Sequence, residues 1–145
     1  MKINQIPTKF YIGKEGFTNV CERSLEKSKS EILFLGDIMS WYKVYSINYD
    51  NKHYIPKRIK KGIKLRMLTN KTSRTERMKE KDKELLREIR FLKDEYKLNS
   101  TFIIYKNEVC IMISKEPYLG IVIESKEVYE SMLNIFNNIW DNQTD

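Results

Sequence analysis

Apolar and polar residues alternate in blocks along the chain, and several blocks have the length of strands. Short apolar runs at 9–13, 31–37 and 63–69 predict three strands. The second, EILFLGD, is almost continuously apolar, which is typical of a strand covered on both faces. Further on, FIIYKNEVCIMISKEPYLGIVIES (102–125) has three apolar runs separated by KNE and KEPYLG. This stretch predicts strand, turn, strand, loop and strand.

Other segments repeat their apolar residues at intervals of three and four, which predicts helices with one buried face. These segments are 15–29, 38–49, 56–61, 82–96 and 125–140. The stripe predicted for the fourth is Leu85, Ile89, Leu92 and Tyr96, and the inward residues predicted for the last are Val128, Met132, Ile135 and Ile139. Pro56 suits the first turn of the short third helix, Gly62 its end, and Ser125 the N-cap of the last. The polar segment 70–81 is predicted to be a mobile loop.

The order of these elements predicts the fold class. Strands alternate with helices up to about residue 97 and then cluster. This order predicts one α/β domain with a mixed β-sheet, parallel in its first part and carrying helices on both faces.

Two absences in the sequence bear on location and cofactors. No apolar run approaches the roughly 20 residues that span a bilayer, and MKINQIPTKFYIG lacks the apolar stretch of a signal peptide. We therefore expect a cytoplasmic protein with no membrane partner. Cys21 and Cys110 lie far apart, without a CxxC motif or a nearby histidine, which predicts two buried free thiols and no metal site, with a disulfide as the alternative. We also expect no cofactor.

Charge is distributed unevenly along this chain of net charge +7. Residues 51–75 contain nine basic residues and no acidic one, whereas 116–145 contain six acidic residues and one basic residue. One interpretation is direct binding to nucleic acid phosphates. The residues named for that role surround the short helix and are Lys57, Arg58, Lys60 and Lys61. The alternative is a solvated surface paired with an acidic patch of the same fold or of a second subunit.

Several ordered stretches carry a resemblance to a known fold family. They are YIGKEGF, KGIKLRMLTN, LLREIRFL, IIYKNEVCIMIS and GIVIESKEVYESMLNIFNNIW. In this order and spacing they resemble one half of a phospholipase D-like fold. More specifically, they resemble the C-terminal effector domain of TrmB-type transcriptional regulators. The resemblance covers residues 9–140, with 1–8 as an N-terminal extension and 141–145 as a C-terminal tail.

The resemblance also shows which chemistry the chain has not kept. Phospholipase D enzymes use a His-x-Lys-x-x-x-x-Asp motif, in which histidine attacks phosphorus. If IIYKNEVCIMIS ends this motif, Tyr105 stands at the Asp position, Leu98 at the His position and Ser100 at the Lys position. The single histidine, His53, lacks the lysine spacing that follows in the motif and is expected in an exposed loop. We therefore expect no catalytic residues and no enzyme activity.

A ligand site and a dimer are further implications of the resemblance. It implies that Arg66, Arg87 and Arg90 line the degenerate pocket and bind a phosphate, sugar phosphate or carboxylate by forked hydrogen bonds. The alternative is that Arg87 pairs with Glu84 on a helical surface and Arg90 with an acidic residue elsewhere. Phospholipase D folds use two halves face to face, so one half per chain implies a homodimer.

The start of the chain bears on its connection to DNA. TrmB-type regulators place a winged helix–turn–helix ahead of this domain, and residues 1–8 have no room for one. The resemblance then implies a detached sensor, a protein that acts on DNA through a partner module, or an excised domain.

Overall fold

The computed structural model describes residues 7–143, which form seven strands, six α-helices and one π-helical turn. In chain order the elements are β1 (Thr8–Ile12), α1 (Glu15–Lys27), β2 (Glu31–Leu35), α2 (Ile38–Tyr42), α3 (Ile47–Tyr49), the π-helical turn (Asp50–Tyr54), α4 (Ile55–Lys60), β3 (Lys64–Thr69), α5 (Ser73–Lys79), β4 (Arg87–Phe91), β5 (Thr101–Tyr105), β6 (Glu108–Ile113), β7 (Leu119–Glu124) and α6 (Lys126–Asp141). Residues 1–6 of the predicted extension and 144–145 of the predicted tail lie outside this description.

All seven strands form one sheet, in the order β1-β7-β6-β5-β2-β3-β4. Strands β2, β3 and β4 are parallel, and the other neighbours pair antiparallel. We call the end of the sheet at which β2, β3 and β4 begin the amino rim, and the opposite end the carboxyl rim. The mixed sheet with helices on both faces confirms the predicted fold class.

The two faces of the sheet have separate cores, because successive side chains of a strand point to opposite faces. On one face, Phe17 of α1 and Trp41 of α2 pack with Phe34, together with residues of α3, α4 and α5. On the other face, Phe136 and Trp140 of α6 pack on β2, β3, β5 and β6. The central strand β2 is buried on both sides, as its apolar run predicted.

Helix α6 begins as predicted, with the Ser125 hydroxyl accepting a hydrogen bond from the Val128 N–H at 3.2 Å. Its buried stripe differs from the prediction, because Phe136 and Trp140 form the centre of the contact. Ile135 is 51% exposed, so its predicted inward position is wrong. The other three predicted inward residues of this helix are half-buried against the same core.

The predicted mobile loop at 70–81 is wrong, since it contains helix α5. Thr72 and Thr75 begin this helix with a capping box: the Thr72 hydroxyl accepts from the Thr75 N–H at 3.0 Å, and the Thr75 hydroxyl accepts from the Thr72 N–H at 2.8 Å. The Thr75 hydroxyl also donates to the carbonyl of Asn70. A polar composition is therefore compatible with order here, because side chains satisfy the free amides of the first turn.

The helix predicted over 82–96 is also wrong. Residues 87–91 are strand β4, paired in parallel with β3, and Leu85 and Leu86 lie in the preceding turn. The carboxylate of Asp82 accepts the Ile89 N–H at 2.8 Å and so holds the start of the strand. Burial of Ile89 beside Met67 outweighs the helical spacing of the local sequence.

Three smaller findings concern His53, the thiols and membrane spans. His53 is exposed as expected, but in the π-helical turn and not in a loop. Both cysteines are buried free thiols. Within residues 7–143, no helix has the length and apolar character needed to cross a bilayer.

Candidate functional site

A polar cleft of about 570 Å³ opens at the carboxyl rim. It lies where β2 and β6 end and where β5 begins. Its lining residues are Asp37, Ser40, Leu98, Asn99, Ser100, Thr101, Ser114 and Lys115. The volume falls within the roughly 300–1,000 Å³ typical of small-molecule sites.

Close backbone approach shapes the floor of this cleft. A Cβ atom at Gly36 would lie 2.8 Å from the Thr101 hydroxyl oxygen and 3.1 Å from the Thr101 Cα. Only glycine therefore allows the end of β2 to lie this close to the start of β5. The next residue, Asp37, is the N-cap of α2 and accepts the Met39 N–H at 3.0 Å and the Ser40 hydroxyl at 2.9 Å.

The chemistry of the cleft is that of hydroxyls, one amide and one ammonium group. Lys115 is the only cation among its lining residues, and the Asp37 carboxylate is engaged in capping. Leu98 and Ser100, assigned above to the His and Lys positions of the motif, both lie here. His53 does not line the cleft; its ring lies 5.2 Å from that of Tyr49.

Tyr105, assigned to the Asp position, lies at the other end of β5. It is 1% exposed, and its hydroxyl lies 3.3 Å from the sulfur of Cys110. Burial raises the pKa of the Tyr105 hydroxyl well above its usual range, so it stays neutral. It contributes packing and no charge.

Arg66 and Arg90 lie together on the face covered by α6, but outside the cleft. Arg66 forms a bidentate ion pair with Glu31, with N–O distances of 2.8 and 3.0 Å, and its guanidinium lies 5.2 Å from the Trp140 ring. Arg90 lies 4.5 Å from the same ring and donates to the Trp140 carbonyl at 2.9 Å and to Glu88 at 3.2 Å. Both guanidinium groups are thus engaged by a carboxylate and an aromatic ring.

Arg87 points to the opposite face, because β4 is a strand in which Arg87 and Arg90 are three residues apart. It donates to the Asp82 carboxylate at 2.8 Å and to the Met78 carbonyl. The predicted partner Glu84 is not the one observed. The three arginines therefore do not converge, and none of them lines the cleft.

The basic stretch 51–75 divides into paired and exposed residues. Lys57 donates to Glu22 at 2.8 Å. Arg58 is 0% exposed and donates to three backbone carbonyls. These belong to Ile63 at 2.7 Å, Leu85 at 2.6 Å and Leu86 at 2.9 Å. The prediction that Arg58 contacts phosphates is wrong, because its buried guanidinium donates hydrogen bonds to backbone carbonyls in the turns before β3 and β4. Lys60 and Lys61, in contrast, are exposed.

A small cavity of about 40 Å³ lies beneath the π-helical turn. Asp50 borders it and accepts the Tyr42 hydroxyl at 2.7 Å. Burial raises the pKa of Asp50, although Tyr42 and nearby arginines act in the opposite direction. This cavity is far smaller than a typical ligand site, so the cleft at the carboxyl rim remains the candidate functional site.

Comparisons with known proteins agree with this architecture. No protein-family model matches the chain, and no curated protein sequence matches it. Solved structures do match over almost the whole chain, and they place it in the phospholipase D-like fold. Nuc from Salmonella typhimurium, a phospholipase D family member, gives a TM-score of 0.65 at 15% identity and covers 96% of this chain and 98% of its own.

Two other structures extend the comparison. TrmBL2, an archaeal chromatin protein with a novel mode of DNA binding, gives a TM-score of 0.67 at 20% identity over 99% of this chain. The present chain spans 55% of the TrmBL2 chain. NucT from Helicobacter pylori gives 0.68 at 10% identity and covers 97% of this chain and 99% of its own. The resemblance to a phospholipase D-like domain of the TrmB type is thus confirmed at the level of fold.

Most cleft residues were missed by sequence reasoning. Asp37, Ser40, Asn99, Ser114 and Lys115 belong to no motif. The available signal was their position directly after or before predicted strands, since ligands in open α/β sheets bind at the carboxyl ends of parallel strands.

Proposed function

We propose that the chain is a non-catalytic phospholipase D-like domain that binds a small anion in the carboxyl-rim cleft and works as a homodimer. The observation that carries this proposal is the presence of Leu98 and Ser100 in the cleft, at the His and Lys positions of the motif. Leucine offers neither a nucleophile nor a proton carrier. The cleft therefore keeps room for a ligand without the groups for phosphodiester hydrolysis.

The ligand we propose is a small anion such as a phosphate or carboxylate. Lys115 supplies the charge, and the hydroxyls of Ser100 and Ser114 supply hydrogen bonds. This assignment replaces the three arginines, because each of them is held outside the cleft by a carboxylate.

A phosphate titration followed by amide chemical shifts tests the cleft. Inorganic phosphate is expected to shift the amides of Ser100, Ser114 and Lys115. Lys115→Ala is expected to raise the phosphate Kd about tenfold, whereas Lys52→Ala, on the exposed π-helical turn, leaves it unchanged. Turnover of bis(p-nitrophenyl) phosphate above the buffer rate, or shifts confined to other residues, contradicts the proposal.

The homodimer is supported by an uncovered part of the sheet. Helix α6 covers β5 and part of β6, but Phe10 and Ile12 of the edge strand β1 are 65% and 76% exposed on the same face. They lie opposite Ile121 and Leu119 of β7, which are half-buried. A second copy can cover this apolar surface with the exposed side of its own α6, which carries Ile135.

The regulatory role follows from the two features together. Ligand capture in the cleft changes the dimer interface and thereby the output of a DNA-binding module, as in a TrmB-like transcriptional regulator. The similarity in fold to TrmBL2 supports this context.

The alternative is a basic module that binds nucleic acid directly through residues 51–75. It is favoured by the exposure of Lys60 and Lys61 and by the likeness to a DNA-binding protein. It is weakened by the burial of Arg58 and the pairing of Lys57 with Glu22.

A further inference from the structure

Four exposed lysines from different segments meet at the amino rim. Lys29 precedes β2, Lys64 begins β3, Lys83 precedes β4 and Lys106 follows β5. Lys29 and Lys106 line a groove of about 280 Å³, and Lys64 and Lys83 line a second groove of about 350 Å³. The two grooves share the Glu31–Arg66 ion pair, so they are adjacent. We call these residues the rim lysines.

The carboxylates in the two grooves are neutralised by arginines. Glu31 pairs with Arg66, and Asp82 with Arg87, both at 2.8 Å. Glu88 pairs with Arg90 at 3.2 Å. Within residues 7–143, by contrast, the rim lysines have no side-chain hydrogen bond, ion pair or ring contact. Four positive charges are therefore uncompensated along one end of the sheet.

The spacing of the rim lysines suits a linear polyanion. They lie at or next to the amino-rim ends of four adjacent strands, β5-β2-β3-β4. With strands about 4.8 Å apart, the row extends roughly 14 Å. Duplex DNA presents one negative charge for roughly every 1.7 Å of its axis, so several phosphates face such a row. We propose that the amino rim binds the phosphate backbone of nucleic acid, without contacts that read the bases.

The surroundings of the grooves favour nucleic acid over a membrane or an acidic protein. Insertion into a membrane needs exposed apolar residues, and protein hot spots are enriched in tryptophan, tyrosine and arginine. The large exposed apolar residues among the described ones are Phe10, Ile12, Ile47, Tyr96 and Ile135. None of these lines either groove. Lysine point charges alone are typical of backbone contact without sequence recognition.

This inference shares with the alternative function above the class of partner and one residue, Lys64, and it does not depend on the cleft ligand. Three of the rim lysines, Lys29, Lys83 and Lys106, lie outside 51–75. The amino rim and the stretch 51–75 are therefore two competing locations for nucleic acid binding. Variants that lose equal charge at each location distinguish between them.

The test is fluorescence anisotropy of a labelled DNA duplex across a salt series, with three triple variants of equal charge loss. The rim variant replaces Lys29, Lys83 and Lys106 by Gln. The helix variant replaces Lys52, Lys57 and Lys60 by Gln. The carboxyl-rim variant replaces Lys14, Lys93 and Lys97 by Gln. Far-UV circular dichroism establishes that each variant is folded.

We expect the rim variant to raise the Kd at least tenfold at low salt. We also expect it to reduce the slope of log Kd against log salt by about 0.9 for each lysine that contacts phosphate. The other two variants should change the Kd by less than about threefold, and a fourth variant with Arg at the three rim positions, which keeps the charge, should bind at least as tightly as the wild type.

Four outcomes would overturn the inference. The largest loss in the helix variant would locate binding in 51–75, and the largest loss in the carboxyl-rim variant would locate it around the cleft. Equal losses in all three would leave only a net-charge effect. Binding of anionic phosphatidylserine vesicles as tight as that of DNA, with the same sensitivity to the rim variant, would assign the surface to membranes. Phosphate binding at Lys115 is measured separately, by amide chemical shifts and the Lys115→Ala variant, so the two proposals fail separately.

Discussion

The two rims of the sheet use their polar groups in opposite ways. At the carboxyl rim, hydroxyls surround a cleft with one lysine, and the Asp37 carboxylate caps a helix. At the amino rim, the groove carboxylates are paired with arginines and four lysines are left uncompensated. The lining of the carboxyl-rim cleft is therefore less charged than the linings of the two amino-rim grooves. A shared fold does not fix the location of a functional surface; the side chains at each rim do.

The largest expected effect comes from replacing Arg58, because this tests whether the cation is structural, in contrast to the exposed lysines nearby. Arg58→Ala removes the donor of three carbonyls, those of Ile63, Leu85 and Leu86, and opens a cavity, so we expect the free energy of unfolding to fall by about 3 kcal/mol or more. Urea denaturation measures this loss. Lys60→Ala, two residues further along the same helix at an exposed site, should change it by less than about 0.5 kcal/mol.

The opposite result would change the comparison between the rims. A stable Arg58→Ala protein with weakened DNA binding would mean that this guanidinium reaches solvent and belongs to the basic surface. The division into buried and exposed cations at 51–75 would then be wrong.

The second prediction concerns the proposed homodimer, which the proposed regulation through the cleft requires and nucleic acid binding at the amino rim does not. Phe10→Lys places a charge on the uncovered apolar surface, so we expect the dimer dissociation constant to rise at least tenfold in sedimentation velocity. DNA affinity per chain should be unchanged within about twofold. Ile47→Lys adds the same charge on α3, at a residue that is 39% exposed, and should leave the dimer intact. Dissociation by both variants, or by neither, would remove Phe10 from the interface.

The sequence predicted correctly those elements whose position in the fold follows from their own residue pattern. The apolar run of β2 and the N-cap Ser125 of α6 needed no tertiary information. Strand β4 was missed because its pairing depends on the free edge of β3, and the segment's own residues repeat at helical spacing. That error placed Arg87 on the same face as Arg90, whereas in the strand the two side chains point to opposite faces.

The candidate surfaces were harder to predict than the fold. The cleft combines the ends of three strands, and the rim lysines come from segments up to 77 positions apart, Lys29 to Lys106, that only the sheet order brings together. The basic run at 51–75 looked uniform, yet Arg58 is buried within it and Lys57 is paired. A run of like charges along a sequence therefore does not define a charged surface.

The smallest expected effect comes from replacing Glu22, which tests whether an ion pair prevents a lysine from binding DNA. Glu22 accepts hydrogen bonds from Lys57 at 2.8 Å and from the Tyr49 hydroxyl, and these contacts lower the pKa of Glu22. A carboxyl whose pKa is lowered by folding contributes stability above its unfolded pKa of about 4.3, and this contribution is lost as the pH falls through the lowered folded value.

Glu22→Gln removes that contribution, so the stability of the variant should fall less steeply than that of the wild type as the pH drops below about 4.3. At neutral pH the variant frees Lys57, and we expect DNA binding to tighten by no more than about twofold, because Lys57 lies on the helix α4 and not in the rim grooves. Anisotropy at low salt measures this change, and Glu26→Gln, one helical turn away on the exposed side of α1, is the matched control. A tightening of tenfold or more would show that a single unpaired lysine on α4 binds DNA better than the rim lysines do. Freeing lysines from ion pairs would then explain DNA binding without the two grooves.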